Sequence, residues 1–152
     1  MKTKLLKVMA GSRAYGTNTE FSDEDIRGVF ANDVHEFLML SKPRDEVTGP
    51  GEDEKYFSLH KFLHLYTKGN PNVVELLWTR DEDRLFTDVK FMPILGLRQA
   101  LLCRNVIDSF GGYAKSRMMK IKEKQDIGGE VDYKDLMHLC RLSRMGVELI
   151  GS

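Results

Sequence analysis

The sequence predicts an α+β fold, with a small sheet in the first part of the chain and helices behind it. Two observations carry this prediction. Two short apolar runs and a third strand candidate, separated by turn-forming residues, lie before residue 58. From Ser58 onward, apolar residues instead recur at helical spacing. The connectivity of the sheet does not follow from these patterns.

The predicted strands are residues 5–10, 26–30 and 53–57. The first stops at Gly11, and Ser12 after it is a favourable N-cap for a short helical turn that ends at Gly16. A short helix from Asp33 to Leu40, with Asp33 as its cap, follows the second strand. The segment from Ser41 to Gly51 holds two prolines and two glycines and is therefore predicted to be a loop.

The helical part begins with a segment from Ser58 to Gly69. Asn70 and Pro71 then restart a helix, because asparagine is a good N-cap and proline suits the first helical position. Further helices are predicted at residues 88–95, 97–109, 112–125 and 132–150.

Composition indicates one soluble globular domain. The 152 residues are enough for a core, and 41% are hydrophobic and 30% charged. Cys103 and Cys140 lie in apolar helical patterns, which favours buried free thiols in a reducing compartment. No run reaches the length of a membrane span and no signal peptide is recognisable, so we expect no membrane partner and a cytoplasmic location.

Charge is distributed unevenly along the chain, although the formal net charge is zero. Residues 17–55 hold eleven acids and four bases, and residues 98–124 hold seven bases and two acids. An acidic segment can concentrate metal ions and a basic one can face phosphates, but both can also be ordinary solvated surfaces.

The turn after the first strand can bind phosphate. A strand-to-helix junction presents free backbone N–H groups, and glycine lets a phosphate approach the backbone. Here Gly11 opens the turn, Ser12 adds a hydroxyl donor, and Arg13 can add charge. Glycine-serine pairs also occur in ordinary turns.

Two aspartates precede the second strand and can bind metal. Asp23 and Asp25 are two residues apart, so on a strand their side chains share a face, with Cα atoms roughly 6–7 Å apart. Two carboxylates at that spacing suit Mg²⁺ that also binds substrate phosphates. A third carboxylate from another strand would strengthen the site; Asp53 is the first choice and Glu54 the second. A solvated acidic turn is the alternative.

The stretches GSRAYG at residues 11–16 and SDEDIRGV at residues 22–29 resemble the signature of the DNA polymerase β-like nucleotidyltransferase superfamily, in particular the predicted nucleotidyltransferases of bacteria and phages. Four later stretches are also similar, at residues 57–62, 68–77, 112–114 and 138–142. The resemblance implies a small mixed sheet flanked by helices and a helical C-terminal part. It divides the chain into a catalytic core at residues 1–80 and a helical part, packed on the core, at residues 81–152.

The resemblance also implies a reaction and its residues. A nucleoside monophosphate would pass from a nucleoside triphosphate to an acceptor hydroxyl, with release of pyrophosphate. Gly11, Ser12 and Arg13 would bind the triphosphate. Asp23, Asp25 and Asp53 would bind Mg²⁺, with two ions expected, and Asp53 could also serve as base.

Several questions stay open at this stage. The sequence does not identify the base of the nucleotide, the oligomeric state, or whether the acceptor is RNA, protein or a small molecule. The alternatives to an enzyme are a catalytically silent nucleotide- or RNA-binding module and a phage factor that acts through protein contacts in the host cytoplasm. A basic segment could contact a nucleic-acid backbone, bind the triphosphate, or simply face solvent; its residues are Tyr113, Lys115, Arg117, Lys120, Lys122 and Lys124.

Overall fold

The computed structural model describes residues 2–39, 42–51 and 53–151. Within these residues it shows an α+β fold with a five-stranded mixed sheet, which confirms the predicted fold class. The strands are β1 (Thr3–Met9), β2 (Ile26–Ala31), β3 (Glu46–Thr48), β4 (Glu54–Ser58) and β5 (Arg84–Thr87). The helices are α1 (Gly11–Ala14), α2 (Val34–Leu38), α3 (Leu59–Thr67), α4 (Pro71–Trp78), α5 (Met92–Gly96), α6 (Asn105–Asp126) and α7 (Tyr133–Gly151). Short 3₁₀ turns lie at Asp81–Asp83 and Val89–Phe91.

The sheet has the strand order β3-β4-β2-β1-β5. β1 pairs antiparallel with β2 and with β5, β3 pairs antiparallel with β4, and β2 and β4 run parallel. In the parallel pair Ile26 lies beside Glu54 and Phe30 beside Ser58. The segments that enter β2 and β4 therefore lie next to each other at one end of the sheet.

Two strands were not predicted from the sequence. β3 lies inside the segment expected to be a loop, and β5 lies beyond the three predicted strands. Both are short edge strands. β3 buries none of its three residues, and in β5 the consecutive residues Leu85 and Phe86 are both exposed. Neither strand shows the alternation of buried and exposed residues that marks a strand in a sequence.

The helix caps agree with the sequence in one place and differ in another. The Asp33 carboxylate accepts a hydrogen bond from the His35 backbone N–H at 3.1 Å, which confirms Asp33 as the cap of α2. The predicted end of that helix, Leu40, lies outside the described residues. The prediction that Ser12 is an N-cap is wrong, because α1 begins at Gly11 and Ala10 precedes it without a side-chain cap.

The predicted break between two helices near residue 110 is also wrong. Residues 97–101 form turns, and α6 then runs unbroken through Gly111 and Gly112. Phe110 is buried on α6 and packs against Gly146 of α7. Each glycine costs a helix roughly 1 kcal/mol relative to alanine, and packing against a neighbouring helix can exceed that cost.

Contacts divide the chain into two compact units. The first, unit 1, contains residues 1–66 and 72–101, and the second, unit 2, contains residues 67–71 and 102–152. The boundary expected after residue 80 falls inside unit 1, because β5 pairs with β1. Unit 1 has an aromatic core in which the ring centroids of Phe62 and Phe91 are 5.9 Å apart. Across the described ranges, no helix is both long enough and apolar enough to span a membrane.

Candidate active site

A sharp turn connects β1 to α1. Gly11 has a φ of +64°, a backbone conformation that glycine adopts without strain. The backbone N–H of Ala10 donates a hydrogen bond to the carbonyl of Asp25 at 2.8 Å. This bond joins the end of β1 to the residue before β2, so the glycine turn and the acidic segment lie side by side.

The Asp25 side chain packs directly against Gly11. A Cβ atom built on Gly11 would clash with the Oδ2 atom of Asp25 and come within 2.8 Å of its Cγ. Only a residue without a side chain leaves room for the carboxylate there. Glycine is thus required at this position for its backbone conformation and for the approach of a carboxylate to the turn.

Arg27 engages the other oxygen of the same carboxylate. Its Nη2 donates to Asp25 Oδ1 at 3.0 Å, and its Nη1 donates to the carbonyls of Ile26, at 2.9 Å, and Asp53, at 2.6 Å. One guanidinium therefore connects the entrances of β2 and β4. Sequence reasoning did not single out Arg27, although its position two residues after Asp25 would place it on the same face of a strand.

Asp53 lies in the segment that enters β4, beside the segment that enters β2. Ile26 pairs with Glu54, and the Ile26 backbone N–H donates to the Asp53 carbonyl at 3.1 Å. Asp25 and Asp53 therefore directly precede the first pair of these two parallel strands. The Asp53 side chain is exposed.

The sequence suggested that Asp23 lies on a strand, and the structure places it before the strand begins. β2 begins at Ile26, so Asp23 and Asp25 both lie in the irregular segment before it. The strand rise therefore does not set the spacing between them. Asp23 is exposed.

Ser12 and Arg13 follow Gly11 in α1. The Ser12 carbonyl accepts hydrogen bonds from the backbone N–H groups of Tyr15, at 3.3 Å, and Thr17, at 3.0 Å, and so closes the turn. Arg13 Nη2 donates to the Ser22 carbonyl at 3.0 Å, and its Nη1 lies 4.0 Å from a Glu24 carboxylate oxygen. Arg13 therefore braces the acidic segment against α1, a contact that the sequence did not reveal.

Glu54 occupies a closed environment. Its side chain is 4% exposed and accepts hydrogen bonds from the Tyr56 hydroxyl and from the Gly51 N–H at 3.3 Å, while Lys7 Nζ lies 3.1 Å from it. The Tyr56 hydrogen bond is the main cause that lowers the pKa of Glu54, with burial opposing it. Glu54 is an ionised, satisfied group of the sheet, which leaves Asp53 as the better candidate for a third carboxylate.

Glu75 of α4 and Arg80, two residues after that helix, contact the end of α1 and the residue that follows it. The Tyr15 hydroxyl donates a hydrogen bond to Glu75, and Arg80 Nη2 donates to the Ala14 carbonyl at 3.3 Å. Glu75 belongs to the stretch at residues 68–77 that resembles the superfamily but suggested no chemistry. Its contact with Tyr15 indicates that this stretch positions the turn.

The carboxylates of this site do not form a preassembled metal cage. In the portion of the chain that the structure describes, no group of three or more His, Cys, Asp or Glu side chains is arranged to hold a metal ion. Mg²⁺ commonly keeps several waters and is bound through one or two carboxylates together with substrate phosphates. The donor set of Asp23, Asp25 Oδ2 and Asp53 is of the hard-oxygen kind that this mode of binding uses.

A family model matches residues 3–150, nearly the whole chain. The chain belongs to the RlaP family. This family is described as an RNA repair pathway DNA polymerase beta family, which confirms the resemblance found in the sequence. Membership in the RlaP family supports a nucleotidyltransferase-like role. Comparison with curated proteins found no match, and comparison with solved structures found none.

Proposed function

We propose that this chain is a Mg²⁺-dependent nucleotidyltransferase that moves a nucleoside monophosphate from a nucleoside triphosphate to a hydroxyl group of an RNA. The observation that carries the proposal is the contact between the Asp25 carboxylate and the Gly11 turn. It brings a potential metal ligand to the backbone that would bind phosphates. The description of the RlaP family as part of an RNA repair pathway supports RNA as the acceptor.

Each residue of the candidate site would have a separate role in this reaction. The backbone at Gly11 and the Ser12 hydroxyl would hold the β- and γ-phosphates. Arg13 would act mainly by bracing the acidic segment, since its guanidinium is hydrogen-bonded to the Ser22 carbonyl. Asp23, Asp25 and Asp53 would hold Mg²⁺, two ions in the proposed complex, which would neutralise phosphate charge and stabilise the leaving group.

The proposed transfer balances without a further reactant. The acceptor hydroxyl oxygen forms a bond to the α-phosphorus, and the bond from that phosphorus to the bridging oxygen breaks. Pyrophosphate leaves with the electron pair of the broken bond. The hydroxyl proton would pass to the Asp53 carboxylate, which is exposed and directly precedes β4.

The test uses triphosphates labelled at the α- or the γ-phosphate, incubated with the full chain, Mg²⁺ and RNA. We expect the α-label in the RNA and the γ-label in pyrophosphate. Asp23→Ala and Asp25→Ala should each abolish transfer while leaving the thermal unfolding temperature unchanged. Transfer retained by either folded variant would refute the metal assignment, and γ-label in the RNA would indicate a kinase instead.

The ion pair between Arg27 and Asp25 favours a second candidate function. A guanidinium that stays on this carboxylate would compete with a metal ion, as expected in a nucleotide-binding module without catalytic activity. Such a module predicts triphosphate binding by calorimetry with no release of pyrophosphate. The labelling experiment distinguishes the two functions, because only the enzyme produces labelled RNA.

A further inference from the structure

Helix α6 carries a narrow stripe of one aromatic and three basic residues: Tyr113, Arg117, Lys120 and Lys124. Their positions are i, i+4, i+7 and i+11, which fall within roughly 60° of one another around a helix of 3.6 residues per turn. Lys115 and Lys122 fall on the opposite side of the same helix. We call the set of four residues the α6 stripe.

The α6 stripe borders a groove of about 480 Å³ within unit 2. The groove is lined by Arg117, Lys120, Glu123, Lys124, Ile127 and Asp135. Asp135, which projects from α7 and is only 16% exposed, lies 2.7 Å from Arg117 and 3.3 Å from Lys124. This carboxylate holds two cations at the groove. Lys120 has no ion pair within the described part of the chain, so its charge is available to a ligand.

The cations of the α6 stripe span a length that several phosphates of a nucleic-acid strand would cover. Arg117 and Lys124 are separated by seven residues, or about 10 Å along the helix. In a DNA duplex each strand carries one negative charge per roughly 3.4 Å of helix axis, so three steps from phosphate to phosphate cover a similar length. Tyr113 is 42% exposed at the start of the stripe, and bases stack on exposed aromatic rings.

The charge of unit 2 also favours a polyanion. Its sequence contains ten bases and seven acids, a formal net charge of +3, whereas unit 1 contains thirteen bases and sixteen acids, a net charge of −3. Of the two acids at the groove, Asp135 is already neutralised by its two cations and Glu123 is exposed at the rim. The neutral total of the whole chain conceals this difference.

We propose that the α6 stripe binds a single-stranded nucleic acid, with Arg117, Lys120 and Lys124 on phosphates of one strand and the Tyr113 ring on a base. This inference depends on the geometry of unit 2 alone. It therefore holds whether or not unit 1 transfers nucleotides.

Fluorescence anisotropy of the full chain with labelled twelve-nucleotide RNA, without triphosphate or Mg²⁺, tests the proposal. A plot of the logarithm of the binding constant against the logarithm of the salt concentration should have a slope near −2, because each of the three phosphate contacts contributes about −0.7 for a single strand. Lys120→Glu should reduce affinity at least tenfold. Lys122→Glu is the matched control, since it makes the same charge change on the opposite side of the helix, and it should cost less than threefold.

The aromatic contact is tested separately. Tyr113→Phe should retain binding, and Tyr113→Ala should weaken it about fivefold or more, as expected for the loss of one stacked base. DNA of the same sequence identifies the source of the ligand: equal affinity supports backbone binding to either nucleic acid, and weaker DNA binding supports RNA.

Three results would overturn the α6 stripe as a nucleic-acid site. These are equal losses from Lys120→Glu and Lys122→Glu in folded proteins, an absence of RNA and DNA binding at low salt, and tighter binding of polyglutamate than of either nucleic acid. The last result would indicate an acidic protein partner. If the chain binds RNA but transfers no label, the proposed function is contradicted and the proposal that the α6 stripe binds nucleic acid is not.

Discussion

Two carboxylates at the same end of the sheet have opposite environments. Glu54, at the start of β4, is buried and surrounded by the Tyr56 hydroxyl, the Lys7 ammonium and the Gly51 N–H. Asp25, just before β2, has a side chain that is 31% exposed, with one oxygen on Arg27 and the other against Gly11. This contrast predicts a structural role for Glu54 and agrees with the proposed role of Asp25 toward a ligand.

The contacts of Glu54 and Tyr56 explain the direction in which the pKa of each group is shifted. The hydrogen bond from Tyr56 lowers the pKa of Glu54, and Lys7 and the Gly51 N–H act in the same direction. Burial raises the pKa of the Tyr56 hydroxyl, and its hydrogen bond to the Glu54 carboxylate raises it further. The pair is therefore a carboxylate and a neutral phenol over a wide pH range. Because Glu54 is buried and its oxygens are hydrogen-bonded, a substrate hydroxyl does not reach it.

The largest expected effect comes from removing the charge of Asp25. Asp25→Asn keeps the shape of the side chain but should lower transfer at least about 100-fold, which corresponds to roughly 2.7 kcal/mol of transition-state stabilisation. The unfolding temperature should stay close to that of the wild type, because the side chain is partly exposed. Labelled transfer and thermal unfolding measure the two quantities. A large drop in unfolding temperature would place Asp25 with Glu54 as a structural acid.

Glu54→Ala should show the reverse pattern. It leaves the Tyr56 hydroxyl and Lys7 without their buried partner, and we expect the free energy of unfolding in urea to fall by about 2–3 kcal/mol. Glu24→Ala is the control, since Glu24 is 62% exposed and its contact with Arg13 is 4.0 Å long. That change should stay within about 0.5 kcal/mol. Equal effects of the two substitutions would contradict the structural role of Glu54.

Alanine substitutions at two glycines that share one backbone conformation distinguish the effect of backbone strain from the effect of displacing Asp25. Gly11 and Gly16 both have a φ of +64°, but a Cβ on Gly16 would meet no atom within 4 Å. Gly11→Ala and Gly16→Ala should each cost about 1 kcal/mol of stability from the backbone. Only Gly11→Ala displaces Asp25, so only that variant should lose tenfold or more in transfer. Matching activities would show that the clash is relieved without moving the carboxylate.

The sequence predicted the parts of the site that are local in the chain. The run before Gly11 and the aspartates before Ile26 marked the turn and the acidic segment, because both are short motifs beside apolar strands. The link from Arg27 to Asp53 and the role of Glu75 could not be found in this way. The partners of Arg27 include the Asp53 carbonyl, 26 residues away, and Glu75 meets Tyr15 across 60 residues. Such contacts depend on the strand order, which hydrophobic periodicity does not determine.

The same reasoning explains which elements of the fold were predicted. β1 and β2 have buried apolar residues in neighbouring positions, and β4 alternates buried and more exposed residues; all three were located to within about two residues. β3 and β5 are held by pairing with a neighbour rather than by burial of their own side chains, so their sequences carry little signal. The continuity of α6 through Gly111 and Gly112 likewise depends on a partner helix, which local propensity cannot reveal.

The smallest expected effect is the contribution of Glu54 to the acid sensitivity of folding. The pKa of Glu54 is lowered in the folded chain relative to an ordinary glutamate, for which the pKa is about 4.3. The unfolded chain therefore takes up this proton first as the pH falls, and the stability that Glu54 supplies at neutral pH is lost as the pH drops through its folded value. Urea unfolding of the wild type and of Glu54→Gln between pH 7 and about pH 3 isolates this term, because the other carboxylates are common to both proteins. The variant should lose less stability on acidification. Parallel curves would mean that Glu54 binds its proton equally well in both states, which would contradict a lowered pKa in the folded chain.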